Sequence, residues 1–187
     1  GGHPSPVVIP SAVALAETER ATGRQLIAAV AAGYEIFLRL GRAIYPSTVV
    51  RGFQSTAVIG AAASAAACAN LLRFSPEVAK NALAIACNLG VGLKEALKSS
   101  GSQPIQVARS CEGGVVAALF AGQGAEGADS ILEGGFLKAF ADNPATAGIL
   151  TGLGTDFRIF ETYIKVHGGC RGNHAPVDVE QDVVKAN

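Results

Sequence analysis

Apolar residues recur at helical spacing along most of the chain. Residues 23–44, "GRQLIAAVAAGYEIFLRLGRAI", carry a broad apolar stripe at intervals of three and four, which predicts an amphipathic helix. Before it, "PSAVALAETERATG" has Pro10 in its first turn and Gly23 as a stop signal, which predicts a shorter helix. The two patterns indicate an antiparallel helix pair at the start of the chain.

A second pattern is built almost entirely from small residues. Residues 55–72, "STAVIGAAASAAACANLL", predict a buried helix whose neighbours approach its backbone closely, with Ser55 or Thr56 as the N-cap. The run is too short and too poor in Leu, Ile and Phe to predict a membrane span. The abundance of small residues therefore predicts helices that pack tightly against one another.

Two further helices follow. Ser75 as N-cap, Pro76 at the first helical position and Gly90 beyond the end predict one helix within residues 75–90. Residues 107–124, "VARSCEGGVVAALFAGQG", predict another, after a polar loop "KSSGSQPIQ" at 98–106.

The periodicity changes near Thr155. "FRIFETYIKV" at 157–166 is aromatic and β-branched, as is typical of a strand, and "NHAPVDVEQDVVKAN" at 173–187 predicts a helix with a polar face. We therefore expect a mainly α protein with an all-helical domain at 1–155. The strand, turn and helix of 156–187 would begin a smaller α+β domain.

Composition limits the partners and the location that we expect for the protein. The 187 residues are 49% apolar, which is enough for a buried core, and fifteen basic residues balance fifteen acidic ones, so no nucleic-acid partner is expected. No membrane partner is expected either, because the run at 55–72 is the only candidate span. The four cysteines lie far apart without a CxxC pair, which predicts reduced, buried thiols and a cytoplasmic location.

The turn "YIKVHGGCRGNH" at 163–174 concentrates reactive side chains among glycines. Its His167, Cys170 and His174 have a spacing that suits zinc, but a structural site normally takes four ligands and no second Cys/His cluster exists. Glycines before a helix favour an anion-binding turn instead. Lys165 and Arg171 would add positive charge, although a solvated basic pair is an open alternative.

Other motifs are sparse. His3 lies in "GGHPS", ahead of two prolines, while Gln54, Gln103 and Gln106 occupy loops marked by Gly and Pro. No nucleophile–base–acid triad, G-x-S-x-G elbow or glycine-rich nucleotide motif is present.

Five blocks in order resemble the MmgE/PrpD family: "GGHPSPVVIPSAVALAE", "GYEIFLRLGRAI", "RGFQSTAVIGAAASAAA", "GSQPIQVARSCEGGVVAALFA" and "YIKVHGGCRGNHAPVD". That family includes 2-methylcitrate dehydratase, cis-aconitate decarboxylase and iminodisuccinate epimerase. The resemblance implies a longer protein, commonly a homodimer, with a helical domain, an α+β domain and an active site in the cleft between them. It implies no metal and no cofactor.

The resemblance also implies site residues. His3 corresponds to the histidine of an "HP" motif, and Lys165 and His174 to residues that line the cleft from the second domain, so these three are the expected catalytic residues. Gln54 replaces a family histidine, and Gln103 and Gln106 stand where a lysine and a histidine are expected. Carboxamides keep polarity but cannot exchange protons near neutral pH.

Three hypotheses follow. The first is a dehydratase or decarboxylase that acts on a small carboxylic acid by proton abstraction, with Gln54, Gln103, Gln106 and Arg171 binding substrate. The second is an epimerase or isomerase with an altered substrate. The third is a catalytically silent ligand-binding or assembly subunit, because three titratable groups have been replaced.

Overall fold

A computed structural model describes residues 2–143 and 147–186, except for the side chain of residue 147. The helices are α1 (Ser5–Thr18), α2 (Gly23–Ile44), α3 (Ser47–Val50), α4 (Ser55–Leu71), α5 (Pro76–Ala86), α6 (Ser102–Gly122), α7 (Leu137–Phe140), α8 (Ala147–Leu150) and α9 (His174–Ala186). Between them lie 3₁₀ turns at Lys94–Lys98, Arg158–Glu161 and Arg171–Asn173, and a π-helical stretch at Ile131–Phe136. The predicted mainly α class is confirmed.

Helix α4 forms the centre of the fold. It contacts α1, α2, α5 and α6, and every residue of it except Asn70 is buried. Because its side chains are mostly alanine, each neighbouring helix packs close to its backbone. The prediction of a buried, closely packed helix is therefore confirmed.

Glycines on the partner helices allow this close approach. A Cβ atom added at Gly114 of α6 would lie 2.3 Å from Ser64 Cβ of α4, and one added at Gly33 of α2 would lie 2.9 Å from the backbone oxygen of Ala63 in α4. Neither position has room for a methyl group unless the helices move apart. A glycine lowers the intrinsic stability of a helix, but at Gly114 it allows α6 to pack against α4.

Several predicted helix ends differ from the structure. Helix α1 begins at Ser5 because Val7 and Val8 are fully buried against the core, and Pro10 lies inside it. The N-cap of α4 is Gln54, whose Oε1 accepts a hydrogen bond from Ala57 N at 2.7 Å. The predictions of a start near Pro10 and of a Ser55 or Thr56 cap were wrong.

The polar loop predicted at 98–106 is shorter than expected. Helix α6 already begins at Ser102, and Pro104 is tolerated in its first turn because the amides there have no helical acceptor. Gln103 and Gln106 are consequently helical residues. The predicted start of α5 is confirmed, since Ser75 Oγ accepts a hydrogen bond from Val78 N, but the helix ends at Ala86 and not near Gly90.

The predicted strand at 157–166 is not formed. Residues Arg158–Glu161 are a 3₁₀ turn, and the residues up to 166 have no regular structure. A strand needs a neighbouring strand for its backbone groups, and within the described ranges the only strand-like pairing is an isolated bridge between Phe53 and Leu93. The division at 155/156 stays a prediction.

The cysteines follow the expectation in part. All four are free, and Cys68 is buried while Cys87 and Cys111 are half-buried. Cys170 is exposed, which corrects the prediction that all four are buried, because its turn lies on the surface. No helix within the described ranges combines the length and apolar character that crossing a membrane requires.

Candidate active site

His3 lies where the start of the chain meets the N-terminus of α4. Its backbone N donates a hydrogen bond to Thr56 Oγ1 at 3.0 Å. Gly2 packs against α2, since an added Cβ there would lie 2.9 Å from Phe37 Cζ. These contacts fix the backbone of His3 between α2 and α4.

A cleft of about 590 Å³ opens on one side of His3. Its walls are residues 2–6, Tyr34 and Leu38 of α2, and residues 161–165. Lys165, one of the expected catalytic residues, therefore faces the same space as His3.

A smaller hollow of about 140 Å³ opens on the other side of His3, at the N-terminus of α4. Its lining residues are Gly2, His3, Val49, Phe53, Gln54, Ser55, Thr56, Lys94, Leu97 and Gln103. Three of the predicted site residues, from separate parts of the chain, thus surround one space. Lys94 and Ser55 were not predicted.

The surroundings of His3 favour its neutral form. Burial, and after it the positive charge of Lys165, lower the pKa of His3 below its ordinary value of 6.5. At neutral pH the imidazole is therefore unprotonated and can accept a proton. A bound anion would act in the opposite direction and raise this pKa.

Two of the three glutamines bind backbone atoms. Gln54 Oε1 caps α4, as described above. Gln106 Oε1 accepts a hydrogen bond from Leu93 N at 3.0 Å, and its Nε2 donates to Leu93 O at 3.3 Å. Gln106 does not line the hollow, so the structure does not bring it together with Gln54 and Gln103.

His174 lies apart from both spaces. It is buried as the first residue of α9, its Nε2 has no hydrogen-bond partner in the described residues, and its ring lies 5.2 Å from that of His167. His167 Nε2 lies 2.6 Å from Asp178 Oδ1, and this hydrogen bond lowers the pKa of Asp178. No group of three or more His, Cys, Asp or Glu side chains within the described ranges is arranged to hold a metal ion.

The two basic residues of the 163–174 turn make local contacts. Lys165 Nζ donates a hydrogen bond to Gly169 O at 2.8 Å, and the Arg171 guanidinium lies 5.5 Å from the centre of the Tyr163 ring. Lys165 is thus held across the turn while it faces the cleft. Arg171 lines neither the cleft nor the hollow.

A buried ion pair holds the segment that precedes residues 161–165, which form part of the cleft wall. Arg39 Nε donates to Glu35 Oε1 at 2.6 Å within α2, and the Arg39 guanidinium also donates to the carbonyls of Ile149, Thr151 and Asp156. Glu35 Oε2 accepts from Arg158 N at 2.8 Å. This Arg39 clamp ties residues 149–158 to α2, just before the residues that face His3.

The chain was compared with models of known protein families. A family model described as the MmgE/PrpD N-terminal domain matches residues 1–147. The chain belongs to the MmgE/PrpD family. The resemblance seen in the sequence blocks is thereby confirmed.

Curated relatives of this MmgE/PrpD chain are named as decarboxylases. It is 30% identical over 196 residues to a "Cis-aconitate decarboxylase" of Aspergillus terreus, an alignment that covers 97% of the chain and 40% of the relative. It is 30% identical over 190 residues to a "Cis-aconitate decarboxylase-like protein oryM" of Aspergillus oryzae (strain ATCC 42149 / RIB 40), covering 91% of the chain and 39% of the relative. The chain therefore spans about 40% of the length of the curated relatives it matches.

Proposed function

We propose that this chain supplies the helical part of the active site of an MmgE/PrpD lyase that acts on a small polycarboxylate such as cis-aconitate. The observation that carries the proposal is the position of His3, which faces both the cleft and the hollow. The names of the relatives support a decarboxylase more than a dehydratase.

The chemistry of decarboxylation suits one imidazole in the cleft. When the bond to a carboxylate breaks and CO₂ leaves, the remaining carbanion has to take up a proton. His3 is neutral in the free protein, and the negative charge of a bound polycarboxylate raises its pKa and loads the proton that the product needs. Lys165 lies across the cleft, where its ammonium group can hold a substrate carboxylate.

This proposal is tested by replacing His3 in the full-length protein. We expect His3→Gln to lower kcat for cis-aconitate by about 100-fold or more, as is usual for the loss of a general acid or base. His167→Gln is the matched control, because His167 pairs with Asp178 outside the cleft and is expected to retain kcat. Turnover is followed by CO₂ release. Full activity of the His3→Gln variant would refute the role of His3.

A second candidate is a relative that binds carboxylates without converting them. It is favoured by the use of the Gln54 and Gln106 carboxamides as backbone hydrogen-bond partners, since these groups contribute structure and no proton transfer. Binding of cis-aconitate in a calorimeter without CO₂ release or hydration would support this candidate. Homodimer formation and a cytoplasmic location stay predictions.

A further inference from the structure

The first turn of α1 is held in a fixed position between α2 and α4. Val7 packs over Gly60 of α4, where an added Cβ would lie 2.7 Å from Val7 Cγ1. Val8 packs over Gly33 of α2, where an added Cβ would lie 2.6 Å from Val8 Cγ1. Both valines are fully buried. Because interiors are close-packed, α1 cannot slide along either neighbour without overlap of side chains.

Thr56 holds the backbone of His3 one helical turn before the Val7 contact. Thr56 precedes Gly60 by four residues, and His3 precedes Val7 by four. The Oγ1 of Thr56 accepts a hydrogen bond from His3 N at 3.0 Å, and Thr56 is 2% exposed. The fixed position of α1 on α4 therefore brings a buried hydroxyl group to the backbone of the residue that faces the cleft.

This hydrogen bond restrains the direction of the His3 side chain. On the C-terminal side of His3, Pro4 restricts the ψ angle of His3, and Pro4 O accepts hydrogen bonds from Val7 N and Val8 N at the start of α1. On the N-terminal side, the Thr56 hydroxyl restrains the φ angle, because it fixes where His3 N points. With both angles restrained, the imidazole of His3 faces the cleft and the hollow.

We propose that Thr56 is a positioning residue, whose hydroxyl group holds the His3 imidazole in the direction in which it meets the substrate. The proposal rests on the function proposed above. Thr56 acts through the backbone of His3 and not on the reacting atoms. A misplacement of about 1 Å can lower the rate of an enzyme about 100-fold, so the loss of one buried hydroxyl group can have a large effect on turnover.

Three variants of the full-length protein test this role. Thr56→Val removes the acceptor and keeps the β-branched shape, and we expect it to lower kcat for cis-aconitate by about 10- to 100-fold. Thr56→Ser keeps the hydroxyl group and should retain kcat within about threefold. Thr48→Val is the matched control, because Thr48 is fully buried, donates to Ile44 O at 2.8 Å and lines neither the cleft nor the hollow. An equal loss of kcat in both valine variants would overturn the proposal.

A double variant shows whether Thr56 acts through His3. In the His3→Gln protein, Thr56→Val should lower the residual kcat by less than about twofold, because the group that Thr56 positions is already absent. A loss as large as the one that Thr56→Val causes alone would overturn the proposal, since Thr56 would then act on the substrate or on the fold.

Histidine NMR tests the same role without turnover. Thr56→Val should raise the pKa of His3 towards 6.5, because a released imidazole loses part of the burial that lowers this pKa, whereas Thr56→Ser and Thr48→Val should leave it unchanged. If the pKa follows this pattern but no polycarboxylate is turned over, Thr56 still positions His3 and only the lyase proposal fails. If cis-aconitate is turned over and Thr56→Val changes neither kcat nor the pKa, only the positioning role is refuted.

Discussion

Replacing Arg39 by methionine tests the buried clamp that holds residues 149–158 against α2. The side chains of Arg39 and Glu35 are 3% and 9% exposed, so Arg39→Met leaves an uncompensated carboxylate inside the protein. Removing one partner of a buried pair costs about 3–5 kcal/mol of the free energy of unfolding. The three carbonyls that Arg39 binds also lose their donor, and we therefore expect a loss at the upper end of this range.

Urea unfolding followed by circular dichroism measures this loss. The double variant Glu35→Gln/Arg39→Met removes both charges and should recover a large part of the stability, because the penalty arises mainly from the unpaired carboxylate. Arg109→Met, which breaks an exposed pair with Glu112 on α6, is the control and should cost less than about 1 kcal/mol. The reasoning is refuted if Arg39→Met is as stable as Arg109→Met, or if the double variant is no more stable than Arg39→Met alone.

Three further predictions concern packing, charge and thiol reactivity. Gly114→Ala should lower the free energy of unfolding by about 1–3 kcal/mol in urea, because the added methyl group overlaps α4. Gly113→Ala is the control: its methyl group meets looser contacts, and the free energy of unfolding should change by less than about 1 kcal/mol. Equal effects of the two substitutions would contradict the packing account. Lys165→Gln should raise the pKa of His3 in an NMR titration, because the positive charge of Lys165 is one of the causes that lower it. The pKa should stay below 6.5, because burial, the largest cause, persists. An unchanged pKa would show that the Lys165 ammonium group lies too far from His3 to affect it. A thiol reagent should label Cys170 rapidly, the half-buried Cys87 and Cys111 more slowly, and Cys68 only on unfolding. Rapid labelling of more than one thiol per native chain would contradict the burial described.

Local sequence signals predicted the elements whose causes are local. The Ser75–Pro76 start of α5 depends on capping within one turn, and the burial of α4 follows from a continuous run of small residues. The N-cap of α4 was missed because Gln is an uncommon capping residue, and the hydroxyl groups beside Gln54 fit the usual pattern better.

The strand at 157–166 failed for a non-local reason. Its β-branched and aromatic residues fit a strand, but strand formation depends on a partner that lies elsewhere in a chain. Ile164 and Val166 are 95% and 86% exposed, so these apolar side chains are not packed in the described part of the chain. The residues of a segment indicate which secondary structure it favours, but its contacts with the rest of the fold decide which secondary structure forms.

The candidate site was predictable only through the family resemblance. Spacing alone does not connect His3, Gln54 and Gln103, which are brought together by packing of the chain start on α4 and by the pairing of residues 52–54 with residues 92–94. Lys94 and Ser55 were missed for the same reason. The pKa values of the thiols could not be predicted from the sequence either. Burial raises the pKa of Cys68 to about 12 and of Cys87 to about 11, although both residues occur in ordinary helical patterns.

The central claim is that His3 faces the space in which a small polycarboxylate binds. It is tested most directly by NMR of the histidine imidazoles during titration with cis-aconitate, since the chain has three histidines and His167 serves as an internal reference. The account predicts that saturating cis-aconitate shifts the His3 resonances and raises its pKa while the pKa of His167 stays unchanged. A His3 signal and pKa unaffected by bound cis-aconitate would contradict it.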